Sequence, residues 1–149
     1  GPRLMDRVQI AFDGPVLFTH ELSVRVTDLN YGNHLAHDTL VSLLHEARAQ
    51  FFRSHGLHEA GTGGVGILLV DLAVRYLAQS YFGQVLRIEI AAGEVRSRGC
   101  SLVYRVTETE SGTEVALAKA GIVFFDYGAG KVAPMPEGFR RMLTGGSKG

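Results

Sequence analysis

Over residues 16–29 (VLFTHELSVRVTDL) apolar and polar side chains alternate, with Leu22, Val24 and Val26 on one side and Ser23, Arg25 and Thr27 on the other. A period of two predicts a strand with one buried face. Asn30-Tyr31-Gly32-Asn33-His34 interrupts it with turn chemistry. From Asp38 onward the period changes. Leu40, Leu43, Leu44, Ala47 and Phe51 recur at helical spacing, and Val41 and Phe52 widen the stripe. Asp38 is placed to cap the first turn and Gly56 to end the helix. Past Gly66 the alternation returns over 67–78, 84–97, 100–109 and 114–126. Tyr81-Phe82-Gly83, Arg98-Gly99 and Glu110-Ser111-Gly112-Thr113 separate these segments, the last with a good hairpin signal. The tail, 128–149, carries Gly128, Gly130, Pro134 and Pro136 and predicts a short helix at 137–143.

Consecutive strands joined by short turns pair antiparallel. One long helix with a wide apolar stripe has no second helix of comparable length to pack on. The expected fold is therefore α+β, a curved antiparallel sheet of five or six strands wrapped around that helix. At 149 residues the chain suits a single domain. Such a sheet keeps an open edge, and pairing edges in a homodimer or homotetramer would cover it.

Lys+Arg and Asp+Glu balance at 15 each, so the surplus cations that phosphate backbones require are missing and nucleic acid is an unexpected partner. Hydrophobic residues make up 46% of the chain, which argues against disorder. No apolar run approaches the ~20 residues of a membrane span. Arg3, Asp6 and Arg7 interrupt any signal-peptide pattern, and Gly1-Pro2 reads as a protease-cleavage remnant. The single cysteine, Cys100, fits a reducing compartment, and a cytoplasmic location is expected. His34, His37 and Asp38, or His55 and His58, could suggest a metal. No HExxH pattern or zinc-spaced cysteines back them, and no cofactor is expected. Gly61-Thr62-Gly63-Gly64-Val65-Gly66 satisfies G-x-G-x-x-G on paper. It follows a helix and opens a strand, the reverse of a dinucleotide site, and reads as a loop.

The densest polar segment, Thr27 to Asp38, joins the first strand to the helix and ends where unpaired N–H groups and the positive end of the helix dipole converge. That place can stabilise an oxyanion formed from a carbonyl oxygen. The run DLNYGNHLAHDTLVSLLHEAR resembles the signature of hotdog-fold acyl-CoA thioesterases of the 4-hydroxybenzoyl-CoA type, a D-L-D-x-x-G-H-V-N-N run followed by a helix with E-x-A-R or E-E-A-R. It matches at Asp28, Leu29, His34, Glu46, Ala47 and Arg48. The order of strand, helix and four strands extends the likeness over the domain.

The resemblance implies hydrolysis of an acyl-CoA thioester, with Gly32, Asn33, His34 and His37 around the thioester and the N-terminal amides polarising its carbonyl. The departure is at Asn30, where the subfamily places a catalytic Asp; an amide is neither nucleophile nor base near neutral pH. In other hotdog branches an Asn or Gln in the loop, an N–H seven positions on and a helix carboxylate eight further share the work. Transferred here, that scheme lands on Asn30, His37 and His45, with Glu46 next to the last.

Glu46, His45 and Asp38 thus stand as alternative bases. Each also has a plain reading: a solvated residue or partner of Gln50, a border histidine, and an N-cap. Arg96, Arg98 and Lys119 are candidates for the phosphates of CoA. A non-catalytic acyl-CoA-binding module and a hotdog enoyl-CoA hydratase, the latter loosely suggested by Asp28-x-Asn30 and His34, are the competing functions.

Overall fold

The computed structural model describes residues 9–58 and 64–145. Among them the elements run β1 (Phe18–Ser23), a 3-10 turn (Val26–Asp28), α1 (His37–Ser54), β2 (Val65–Tyr76), β3 (Val85–Val95), β4 (Gly99–Glu108), β5 (Glu114–Asp126), β6 (Lys131–Val132) and α2 (Glu137–Leu143). The strands form one antiparallel sheet in the order β1-β3-β4-β5-β2, with β6 added to the end of β5. This is the hotdog architecture expected from the sequence. Of the G-x-G-x-x-G run, residues 61–63 lie outside the described residues; Gly64 is in a turn and Val65 and Gly66 open β2.

Alternation on the strands builds the inner face. Leu86, Ile88 and Ile90 of β3, Leu102, Tyr104 and Val106 of β4, and Ala116, Ala118 and Ala120 of β5 are fully buried. The α1 stripe of Leu40, Leu44, Ala47, Phe51 and Phe52 joins the same core. One polar side chain enters with it: Arg48 is buried and donates to the Tyr104 hydroxyl at 3.1 Å, tying helix to sheet. At the far end of α1, Phe139 of α2 packs edge-on against Phe52 and Phe124.

The predicted strand over 16–29 is cut short, and the cause is local. Asp28 is buried, and its carboxylate accepts the Arg25 main-chain N–H at 2.8 Å together with the guanidinium at 3.0 and 3.2 Å. A side chain that captures a backbone donor three residues back competes with the sheet ladder and winds a turn instead. Val26, expected on the buried face, is consequently 65% exposed. The same interaction holds the Asp28 carboxyl below its ordinary range, the hydrogen bond from Arg25 outweighing desolvation.

β2 forms an edge. A register shift between Leu69 and Asp71 interrupts its pairing with β5, and there the Asp71 carboxylate accepts the Gly121 N–H at 3.0 Å. A side chain at position 121 would push that carboxylate aside and break the bond, so glycine suits the position. Leu68, Leu69 and Val70 stand exposed along this edge. Among the described residues no helix is long and apolar enough to cross a membrane.

Candidate active site

The loop entering α1 is tightly wired. Asn30 Oδ1 accepts from the N–H groups of Gly32 (2.9 Å) and His34 (3.4 Å), and its carbonyl accepts from Asn33 N–H at 3.0 Å. Leu35 N–H donates to the Ser80 carbonyl at 2.7 Å and Ala36 N–H to the Asp28 carbonyl at 3.0 Å. Asn33 takes a left-handed conformation, φ 63°, which asparagine tolerates better than other side chains. A Cβ on Gly32 would come within 2.9 Å of the His34 ring, so the small residue lets that ring fold over the loop.

Every main-chain donor from Gly32 to Ala36 is therefore satisfied inside the chain. The next, His37 N–H, is the first of the helix. Ala36 occupies the cap position and offers no side-chain acceptor. Asp38, expected to cap, sits in the first turn instead, exposed, because the helix begins at His37, two residues earlier than a cap at Asp38 requires. An alanine cap forgoes about 1 kcal/mol that Ser, Asp or Asn would supply. The uncapped first-turn amides remain available to an anion or a polarised carbonyl.

A cleft of about 220 Å³ opens beside this helix end. It is lined by His34, His37 and Leu40, by the end of β2 and its continuation from Tyr76 to Ser80, and by Val115. Tyr76 stacks on the His37 ring, centroids 3.6 Å apart, and donates its hydroxyl to the His37 carbonyl at 3.3 Å. Burial, and secondarily the charge of Asp38, raises the Tyr76 pKa and keeps that hydroxyl protonated.

Of the residues singled out by sequence, Asn30, Gly32, Asn33, His34, His37 and Asp38 cluster around this corner. Asn30, Gly32 and Asn33 form its scaffold, while His34 and His37 line the cleft. Glu46 does not reach it: nine residues beyond His37, it lies about 13 Å further along the helix axis. Its carboxylate accepts from Gln50 at 2.7 Å, and it lines a different cleft with His20, Arg25 and Ser42. His45 is exposed and about 12 Å along the helix from His37. Arg96, Arg98 and Lys119 do converge on one cleft, but Arg96 and Lys119 both bind Glu94, at 2.9 and 3.2 Å. Among the described residues no group of three His, Cys, Asp or Glu side chains is placed to hold a metal ion.

Tyr76 and Ser80 were not singled out by the sequence pattern. Ser80 carried a signal: with Gln79 it is a polar pair between the apolar β2 segment and the aromatic turn Tyr81-Phe82-Gly83. Tyr76 carried none, since an aromatic at a strand end is ordinary.

Residues 24–143 match the model of the thioesterase-like superfamily. No curated protein sequence matches. Among solved structures the chain is similar to Slr0204 of Synechocystis, a 1,4-dihydroxy-2-naphthoyl-CoA thioesterase, with 20% identity and a TM-score of 0.79 over 85% of this chain and 95% of that one. SAV2348 of Staphylococcus aureus, solved in complex with CoA, is 18% identical with a TM-score of 0.80, covering 91% of this chain and 86% of its own. TT1821 of Thermus thermophilus is 24% identical with a TM-score of 0.74 over 85% and 97%. At these identities the structural likenesses establish the hotdog fold, whereas the family match spans most of the sequence: the chain belongs to the thioesterase-like superfamily and is a thioester hydrolase.

Proposed function

We propose that the protein hydrolyses an acyl-CoA thioester to the free acid and CoA, with the thioester carbonyl held at the His37 N–H. The observation that carries this is the hydrogen-bond sequence into the helix: donors 32 to 36 are all satisfied internally, and the next amide belongs to His37, a residue that lines a cleft at an uncapped helix end. As water attacks, charge develops on the carbonyl oxygen, and fixed N–H dipoles at the positive end of α1 stabilise it without reorganising. Tyr76 orients this end by bonding the His37 carbonyl. Asn30 acts through the loop, holding Gly32 and His34 in place.

For the base we favour Asp38. It stands in the first turn close enough to Tyr76 to perturb it, whereas His45 and Glu46 lie two turns away on the same protomer. Arg98, with Arg96 and Lys119, is our candidate for the phosphates of CoA. Their cleft contains Val70, in the middle of β2 and six residues from Tyr76, roughly 20 Å along the strand. The long pantetheine arm of CoA separates phosphates from thioester in a comparable way, and the CoA complex of SAV2348 favours the same class of ligand. A second copy would cover the apolar edge of β2, making a homodimer or larger assembly. The lone thiol of Cys100 favours a cytoplasmic setting.

The test is thiol release from a panel of acyl-CoAs, followed by Asp38→Asn, His45→Gln and Glu46→Gln on the best substrate. Asp38→Asn should lower kcat by about 10²-fold or more, as loss of a general base does, with the other two near wild type. Full activity in Asp38→Asn would remove it from the reaction. Tight acyl-CoA binding without thiol release would overturn the choice of substrate.

A further inference from the structure

Ser80 is 1% exposed, and among the described residues its hydroxyl is the buried side-chain polar atom with no hydrogen-bond partner. Leaving such a group unsatisfied costs about 1–3 kcal/mol, so the fold gains nothing from it that alanine would not supply better. Its position is tightly held. The Ser80 carbonyl accepts the Leu35 N–H at 2.7 Å, and the neighbouring Tyr81 bridges to His34, which fixes the residue against the loop that leads into α1. Ser80 lines the cleft beside the helix end, among Leu35, Leu40, Leu77 and Val115. His34, His37, Tyr76 and Gln79 give the same cleft polar walls, and a fixed, unpartnered hydroxyl beside its apolar residues is suited to a short chain that carries an oxygen of its own.

Resting on the reading that the cleft takes the acyl part of a thioester, we infer that Ser80 is a specificity-determining residue whose hydroxyl bonds an oxygen on the acyl chain, so that short hydroxylated or keto-bearing acyl groups are preferred over plain ones. The thioester carbonyl is a poorer partner for this hydroxyl, because on the proposed reading main-chain amides at His37 already serve it. The cleft is small, about 220 Å³, which favours a short chain. A hydroxyl can both donate and accept, so either oxygen type satisfies it. A plain chain leaves it unsatisfied and is disfavoured for that reason.

The experiment compares kcat/KM for butyryl-CoA and its 2-, 3- and 4-hydroxy derivatives in the wild type and in Ser80→Ala. At least one hydroxylated isomer should exceed butyryl-CoA by about tenfold or more in the wild type, and that ratio should fall to within about twofold in the variant. The variant should melt no lower than the wild type, since it loses only an unsatisfied buried group. A wild type that shows no preference, or a preference that survives in Ser80→Ala, overturns the inference while leaving hydrolysis intact. If no thioester is turned over, calorimetric binding of the matching thioether analogues decides. A Ser80-dependent preference in Kd would uphold the role of Ser80 and remove only hydrolysis of these acyl groups; absent preference or absent binding would remove both.

Discussion

Asn30 stands where the related signature has an aspartate, and its wiring makes a sharp prediction about what it does. Oδ1 accepts from Gly32 N–H at 2.9 Å and, more weakly, from His34 N–H at 3.4 Å; Nδ2 lies 3.4 Å from His34 Nδ1. These contacts are internal to the loop. Asn30→Ala removes them but leaves the main-chain bonds from Asn30 N–H to the His34 carbonyl and from Asn33 N–H to the Asn30 carbonyl. One good and one long bond at an exposed site are together worth about 1 kcal/mol. A loss of that size shifts the ordered loop by about fivefold, because 1.4 kcal/mol is a factor of ten. We therefore expect kcat/KM on the best acyl-CoA to fall about five- to tenfold in Asn30→Ala, with the melting temperature nearly unchanged.

Asn30→Asp separates scaffold from chemistry. The carboxylate keeps the oxygen that Gly32 and His34 bond, and charge assistance strengthens both bonds. A negative charge near the N-terminus of α1 is also favourable. This variant should retain kcat/KM within about twofold of wild type or exceed it. Thiol release monitored colorimetrically gives both numbers. If the amide nitrogen instead held the attacking water or the thioester, Asp would be as impaired as Ala and both would lose about 10²-fold or more. That pattern would refute the scaffold argument.

Other outcomes follow from the same structure. Asp28→Asn should cost about 1–2 kcal/mol near neutral pH, the low end for bonds to a charged group because the Arg25 side chain is largely exposed. Because the folded-state pKa of Asp28 is depressed, its contribution is present above the ordinary value of about 4 and is lost as pH falls through the folded value; the gap between variant and wild type in urea melts should close in acid. Cys100 is half-buried, and desolvation pushes its thiol up to about 12, so the native protein should react with thiol reagents at pH 8 much more slowly than the unfolded chain. Rapid labelling of the native state would contradict its burial. On the proposal that copies pair through β2, Leu69→Arg on its exposed edge should lower the mass seen in light-scattering chromatography to that of a monomer, with thermal stability of the fold largely kept. An unchanged mass would place the contact between copies elsewhere.

The fold was legible in the chain because its signals are periodic. The strands β2 to β5 begin and end within about two residues of the alternation that predicted them, and the α1 stripe names the buried face almost completely. What stayed hidden depends on single side chains acting at a distance or against the local pattern. Val26 obeys the strand alternation yet is turned outward, because one carboxylate two residues later captures the backbone of Arg25. Arg48 reads as part of a motif, and only the sheet reveals its bond to Tyr104, 56 residues away.

The site shows the same division. Turn chemistry identified residues 30–34 correctly as a loop that feeds a helix, but a loop has as many amides as residues, and sequence cannot say which are already bonded. The structure shows the bonding of each one: 32 to 36 donate inward, so on the proposed reading the oxyanion donors reduce to the first amides of α1, beginning at His37 beside the cleft. The cap mistake belongs to that logic. Asp38 would have been a good cap had the helix begun two residues later; with Ala36 there instead, the helix end forgoes capping energy and keeps its donors open to what enters beside Tyr76 and Ser80. Such an end is weak as structure and useful as chemistry, and replacing Ala36 by serine should show it, raising the melting temperature slightly while lowering kcat/KM if the new hydroxyl competes for the same amides.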